Sequence, residues 1–112
     1  MIDFVDCPYR GAEMLPLERC KLFNWVLERK PEVIIEIGTG AGGGTMYMAE
    51  AIKEIGKGLI LTCDPLRKPN TFFFKEYPFV DFRKCRSDVL IEEIIERGLR
   101  VDFIFFDGTF GS

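Results

Sequence analysis

Apolar residues change period several times along the chain. In PLERCKLFNWVLERK, Leu17, Cys20, Phe23 and Leu27 recur at helical spacing beside Leu22 and Val26. That predicts a helix over 15–30, with Pro16 suited to its first turn and Pro31 stopping it. Glu32 to Ile37 is β-branched and apolar, the pattern of a strand buried on both faces. Thr45 to Ile55 returns to helical spacing through Met48, Ile52 and Ile55, and Gly56 and Gly58 end it. Leu59 to Cys63 predicts the next strand, closed by Asp64 and Pro65. The span 66–78 is looser, with a short helix expected around Phe72 to Glu76. Phe79 to Cys85 predicts a strand and Asp88 to Arg97 a helix carried by Leu90, Ile91, Ile94 and Ile95. Glu93 stands four residues before Arg97, a supporting helical pair. VDFIFF, Val101 to Phe106, predicts the last strand. Strands alternating with helices imply an α/β domain with a Rossmann-like, mostly parallel sheet of about four strands. Residues 1–14 lack a period and form an irregular lead-in; no repeat or linker divides the chain.

The sharpest local signal is VIIEIGTGAGGGT, where the first strand dissolves into five glycines within the seven positions 38–44. Glycine admits positive φ and lets a ligand approach the main chain. A helix starting just beyond offers N–H groups and a partial positive charge to an anion. In a parallel sheet, ligands sit beyond the carboxyl ends of the strands. Here acids gather at those ends. Gly38, Gly40 and Gly43 make GxGxxG, a dinucleotide pattern, with Asp64 about 20 residues on for a ribose. Glu36, Gly38, Gly40 and Gly42 make ExGxGxG, the pattern of S-adenosylmethionine sites. Glu36 separates the two. A buried carboxylate is costly; it would repel a pyrophosphate but complements a sulfonium and an α-ammonium. Each acid also has a plainer reading: Glu36 paired with a protein cation, Asp64 in an Asp-Pro turn, Asp88 after Ser87 as a helix N-cap.

Composition narrows the classes. The 112 residues suit one domain, and 47% hydrophobic with 29% charged content is that of a globular chain. A net charge of −3 without a basic block does not indicate nucleic-acid binding. Histidine is absent, so a general base must be Asp, Glu, Lys, Tyr or Cys. Cys7, Cys20, Cys63 and Cys85 lack zinc spacing and are expected to be reduced thiols. The first residues lack the apolar core of a signal peptide, and no run approaches the ~18 apolar residues of a membrane span. The expectation is a cytoplasmic protein with no membrane partner.

Taken together, EIGTGAGGGT, LILTCDP, CRSDVL and VDFIFFDG resemble the cofactor motifs of the class I S-adenosylmethionine-dependent methyltransferases over roughly Leu15 to Asp107. PEVIIEIGTGAGGGTMYMA and GKGLILTCDPLRKPN are most similar to the branch containing cephalosporin hydroxylase proteins and sugar O-methyltransferases. The resemblance implies S-adenosylmethionine as cofactor and a small hydroxylated acceptor. It implies Glu36 near the methionine amine, backbone contacts from Gly38, Thr39, Gly40 and Gly42, and Thr45 near the methionine carboxylate. Asp64 would bind the ribose, Ser87 and Asp88 the adenine loop, and Asp107 the reaction centre, with contact to the cofactor alone as its plainer role. In metal-dependent members an aspartate there ligates magnesium. Their usual continuation, DGDH, is replaced by Asp107-Gly108-Thr109-Phe110, so no metal ligands are assigned.

The class has a seven-stranded sheet, and this chain reaches only the fourth, making an incomplete class I fold. The apolar FIFF strand would then be an edge that invites pairing, by a homo-oligomer, a second polypeptide or further chain. Two rival functions remain at this point: a nicotinamide-dependent oxidoreductase domain, and a cofactor-binding or assembly module without catalysis.

Overall fold

A computed structural model of the chain describes residues 16–40, 42–66 and 75–106. The elements in chain order are α1 (Pro16–Arg29), β1 (Val33–Ile37), α2 (Gly43–Ile55), β2 (Leu59–Cys63), β3 (Val80–Arg83), α3 (Ser87–Arg97) and β4 (Phe103–Phe106). The strands form one parallel sheet in the order β3-β2-β1-β4. The expected α/β class and parallel sheet are therefore present. Of the short helix expected at 72–76, only residues 75 and 76 fall among those described.

Two apolar layers sandwich the sheet. Alternation along β1 sends Ile34 toward α1 and α2, where Leu22, Val26, Met48, Ile52 and Ile60 also pack, and sends Ile35 and Ile37 toward α3 with Leu61, Leu90 and Ile94. Central β1 is buried on both faces, as its continuous apolar run predicts. Trp25 of α1 stacks on Phe103 of β4 with ring centroids 4.1 Å apart. Burying whole aliphatic side chains contributes about 1.5–3 kcal/mol each, so these two layers supply the main stabilisation.

Two expectations and one plainer reading need correction. Leu17, placed on the packed stripe of α1, is 64% exposed; the buried face is Leu22 and Val26, with Arg19 beside them. Ile91 and Ile95 of α3 are exposed, and only Leu90 and Ile94 enter the core. The sheet edge explains this: α3 covers β1 and β2, and nothing among the described residues lies over its outer flank. Asp88 is not the N-cap of α3. Arg86 holds that position, and Asp88 lies in the first turn, ion-paired with Arg86 at 3.4 Å. An acid there still suits the positive end of the helix dipole.

Asp102 stitches β4 to β1. Its Oδ2 accepts the N–H groups of Glu32 (3.0 Å) and Val33 (3.2 Å), while its own N–H donates to the Val33 carbonyl. The helical pair of Glu93 and Arg97 forms at 3.4 Å, but Glu93 also accepts from Arg83, which lowers the Glu93 carboxyl below its usual range. Arg83 in turn bonds Asp81 at 3.0 Å.

Candidate cofactor site

The strand order reverses direction at β1: β2 and β3 lie on one side, β4 on the other. A crevice outside the carboxyl ends of β1 and β4 is the binding position in such a sheet. The glycine turn after β1 occupies that end. Phe106, the register partner of Ile37, ends β4 alongside it.

The turn is built by its neighbours. Gly38 and Gly42 adopt φ of 97° and 99°, a left-handed conformation that side chains other than glycine resist. Part of the glycine content is thus conformational, beyond any approach of a ligand. The N–H groups of Gly38 and Thr39 both donate to the Cys63 carbonyl, at 2.9 and 3.1 Å. The Gly40 N–H donates to Asp64 Oδ2 at 2.9 Å, and Asp64 Oδ1 accepts from the Leu66 N–H at 2.9 Å. Gly42 donates back to the Thr39 carbonyl at 3.0 Å. The end of β2 therefore clamps the turn, with the N–H groups of Gly38, Thr39 and Gly40 bonded inside the protein. Helix α2 begins at Gly43, two residues earlier than its apolar period suggests, and Gly42 gives it no side-chain cap. Its first-turn N–H groups lack intrahelical acceptors by geometry.

Beneath the turn lies a polar cluster. Glu36 and Thr62 are register partners on β1 and β2, on the sheet face that packs α2. Glu36 Oε1 accepts from Thr62 Oγ1 at 2.6 Å and from Thr45 Oγ1. Thr39 Oγ1 lies 2.6 Å from Thr62 Oγ1. Thr62 has one hydroxyl proton, given to Glu36, so Thr39 donates to Thr62. Glu36, Thr45 and Thr62 are fully enclosed, and Thr39 nearly so. Thr45 thus turns its hydroxyl inward onto Glu36.

Of the predicted site residues, Glu36, Thr39 and Thr45 meet in this cluster, and Gly38, Thr39, Gly40 and Asp64 in the clamp. Ser87 is half-buried and Asp88 exposed at the start of α3, at the carboxyl end of β3. Asp107 lies outside the described residues. Sequence reasoning missed Thr62; the signal available was a polar residue two before Asp64 in an otherwise apolar strand.

Cys20, Cys63 and Cys85 are free thiols. Burial, with the neighbouring Cys85 thiol, pushes Cys63 up to about 11, and burial raises Cys85 as well. Among the described residues no three acids or thiols group as metal ligands, and no helix is long and apolar enough to cross a membrane. A cleft of about 420 Å³ at the opposite end of the sheet, between Trp25, Arg29, Arg100 and Asp102, includes none of the predicted site residues.

No family model and no curated protein sequence matches the chain. Solved structures do. An O-methyltransferase from Bacillus cereus in complex with SAH aligns with a TM-score of 0.74 and 20% identity, over 89% of this chain and 48% of that one. The apo structure of CmcI-N160 aligns with a TM-score of 0.67 at 20% identity, over 99% and 49% of the two chains. Its SAH structure gives 0.62 at 21%, over 99% and 57%. The chain has the α/β fold of these structures and spans about half their length.

Proposed function

We propose that the chain is the S-adenosylmethionine-binding part of a methyltransferase that acts on an oxygen of a small hydroxylated molecule. One observation carries this reading most directly: a buried glutamate, held by hydroxyls, under a clamped glycine turn at the switch point of the sheet. A pyrophosphate would meet an unfavourable negative charge there, whereas a cationic cofactor meets a favourable one. The shared fold with an SAH-bound O-methyltransferase supports the same choice over a nicotinamide site.

The donor set suits the cofactor. The uncapped start of α2 would receive the methionine carboxylate. Glu36 would complement the amine from below. Asp64, which already holds the Gly40 and Leu66 N–H groups, would also accept the ribose hydroxyls. Ser87 and Asp88 would line the adenine, and Asp107 would orient or deprotonate the acceptor hydroxyl. When bound, the cofactor supplies an already electrophilic methyl group, so the protein's task is alignment and exclusion of water.

The outer edge of β4 supports a second element of the reading. Ile104 and Phe106 are 62% and 51% exposed, whereas the β3 edge carries the charged Asp81, Arg83 and Glu93 group. Charge blunts one edge and leaves the other apolar. Pairing of that edge, by a second copy or further polypeptide, would complete the acceptor pocket. Free thiols at 20, 63 and 85 suit the reducing cytoplasm.

Chemical-shift mapping tests the site. Adding S-adenosylhomocysteine (SAH) is expected to move the amide signals of Gly38 to Thr45, Leu66 and Ser87. Shifts confined to the Trp25 and Arg100 end, or none, would contradict the assignment.

A further inference from the structure

Resting on the cofactor reading above, we propose that Thr62 is a positioning residue that makes the site selective for a ligand bearing an α-amine. Its hydroxyl, oriented by Thr39, holds the Glu36 carboxylate in its charged form and in one direction.

The geometry that carries this is the order of donation. Thr39 gives its proton to Thr62, Thr62 gives its own to Glu36 Oε1, and Thr45 gives a second proton to the same oxygen. Both hydroxyl protons converge on one carboxyl oxygen, Oε1, an acceptor role that an ionised carboxylate fills more strongly than a neutral acid. Hydrogen bonds to the charged form of a carboxylate stabilise that form. Ile34, Ile60, Met46 and Met48 pack on the same side of the sheet, and burial among them disfavours a charge, so the hydroxyl bonds are what offset that cost. In such an apolar layer a charge acts farther than it would in water.

A purely architectural role does not require the charge. Glutamine at position 36 would accept both hydroxyls through its carbonyl oxygen and hold the turn as well. What glutamate adds is a negative charge, and the hydroxyl chain spends its protons supporting it. Register fixes the arrangement: Glu36 is opposite Thr62, so a slip of one residue would send Thr62 to the α3 face.

The test compares two probes, SAH and its desamino analogue, which lacks only the α-amine. Calorimetry on the wild-type chain is expected to show SAH bound at least about tenfold more tightly, the scale of one hydrogen bond to a charged group. Thr62→Val is expected to remove most of that preference while leaving the analogue's affinity within about twofold. Thr62→Ser should restore it. Thr39→Val should have a smaller effect, because Thr62 still donates to Glu36. Glu36→Gln, which keeps the hydroxyl bonds, should abolish the preference, and it serves the same purpose if the valine variant does not fold. Equal weakening of both probes by Thr62→Val would make the hydroxyl merely structural and overturn the inference. Equal affinity of the wild-type chain for the two probes would overturn it too, with the cofactor reading intact. Binding of neither probe would overturn the cofactor reading itself.

Discussion

Asp64→Ala isolates the clamp on the glycine turn. The substitution removes two hydrogen bonds of 2.9 Å, to the N–H groups of Gly40 and Leu66, both made to a carboxylate. Bonds to a charged acceptor contribute about 1.5–3 kcal/mol each. The site is part-buried, so water can reach the abandoned N–H groups, and the lower end applies: about 3 kcal/mol in total. For a domain of this size that corresponds to a fall in Tm of roughly 10 °C. Asp64→Asn keeps one carbonyl acceptor and should lose about half as much. The location of the effect matters more than its size. Hydrogen exchange at the Gly40 amide should quicken by about tenfold or more in Asp64→Ala, while amides in α3 change only with global stability. A Tm within ~2 °C of wild type, together with unchanged Gly40 exchange, would refute the clamp.

Three further outcomes follow from the packing and the titrating groups. Leu22→Ala should destabilise by about 2–4 kcal/mol in urea unfolding, and Leu17→Ala by no more than about 0.5, because only the first side chain is buried. Stability should be full below the ordinary thiol range and decline as pH rises from about 9 toward 11, because the Cys63 thiol is raised to about 11 in the folded chain and the unfolded chain deprotonates first; Cys63→Ala should flatten that decline. Ile104→Lys with Phe106→Glu should shift any self-association of the chain toward monomer in sedimentation, and an unchanged mass distribution would remove the β4 edge from the interface.

The parts of the fold that were legible in the sequence share a physical cause. β1 stands out because both its faces are buried, so the apolar run is uninterrupted, and the turn after it stands out because left-handed backbone at Gly38 and Gly42 demands glycine. Helix faces were less legible where two apolar stripes compete. In α3, Leu90 and Ile94 form one stripe and Ile91 and Ile95 the next; only the sheet's outline decides which is covered. Leu17 failed similarly, as a helical period cannot say how far the partner surface extends. Asp102 looked like one member of a strand, and its bonds to Glu32 and Val33 span about seventy positions, beyond any local pattern. The acids at strand ends were legible as positions. Their partners were not: Glu36 meets Thr62 only through sheet register, and Gly40 meets Asp64 only through the turn.

Calorimetric titration of the chain with SAH, beside NADH as the rival ligand, tests the central claim most directly. The account predicts saturable binding of SAH with one site per chain, weakened in Glu36→Gln and Asp64→Ala, and no heat with NADH. Binding of NADH with no response to SAH would contradict it.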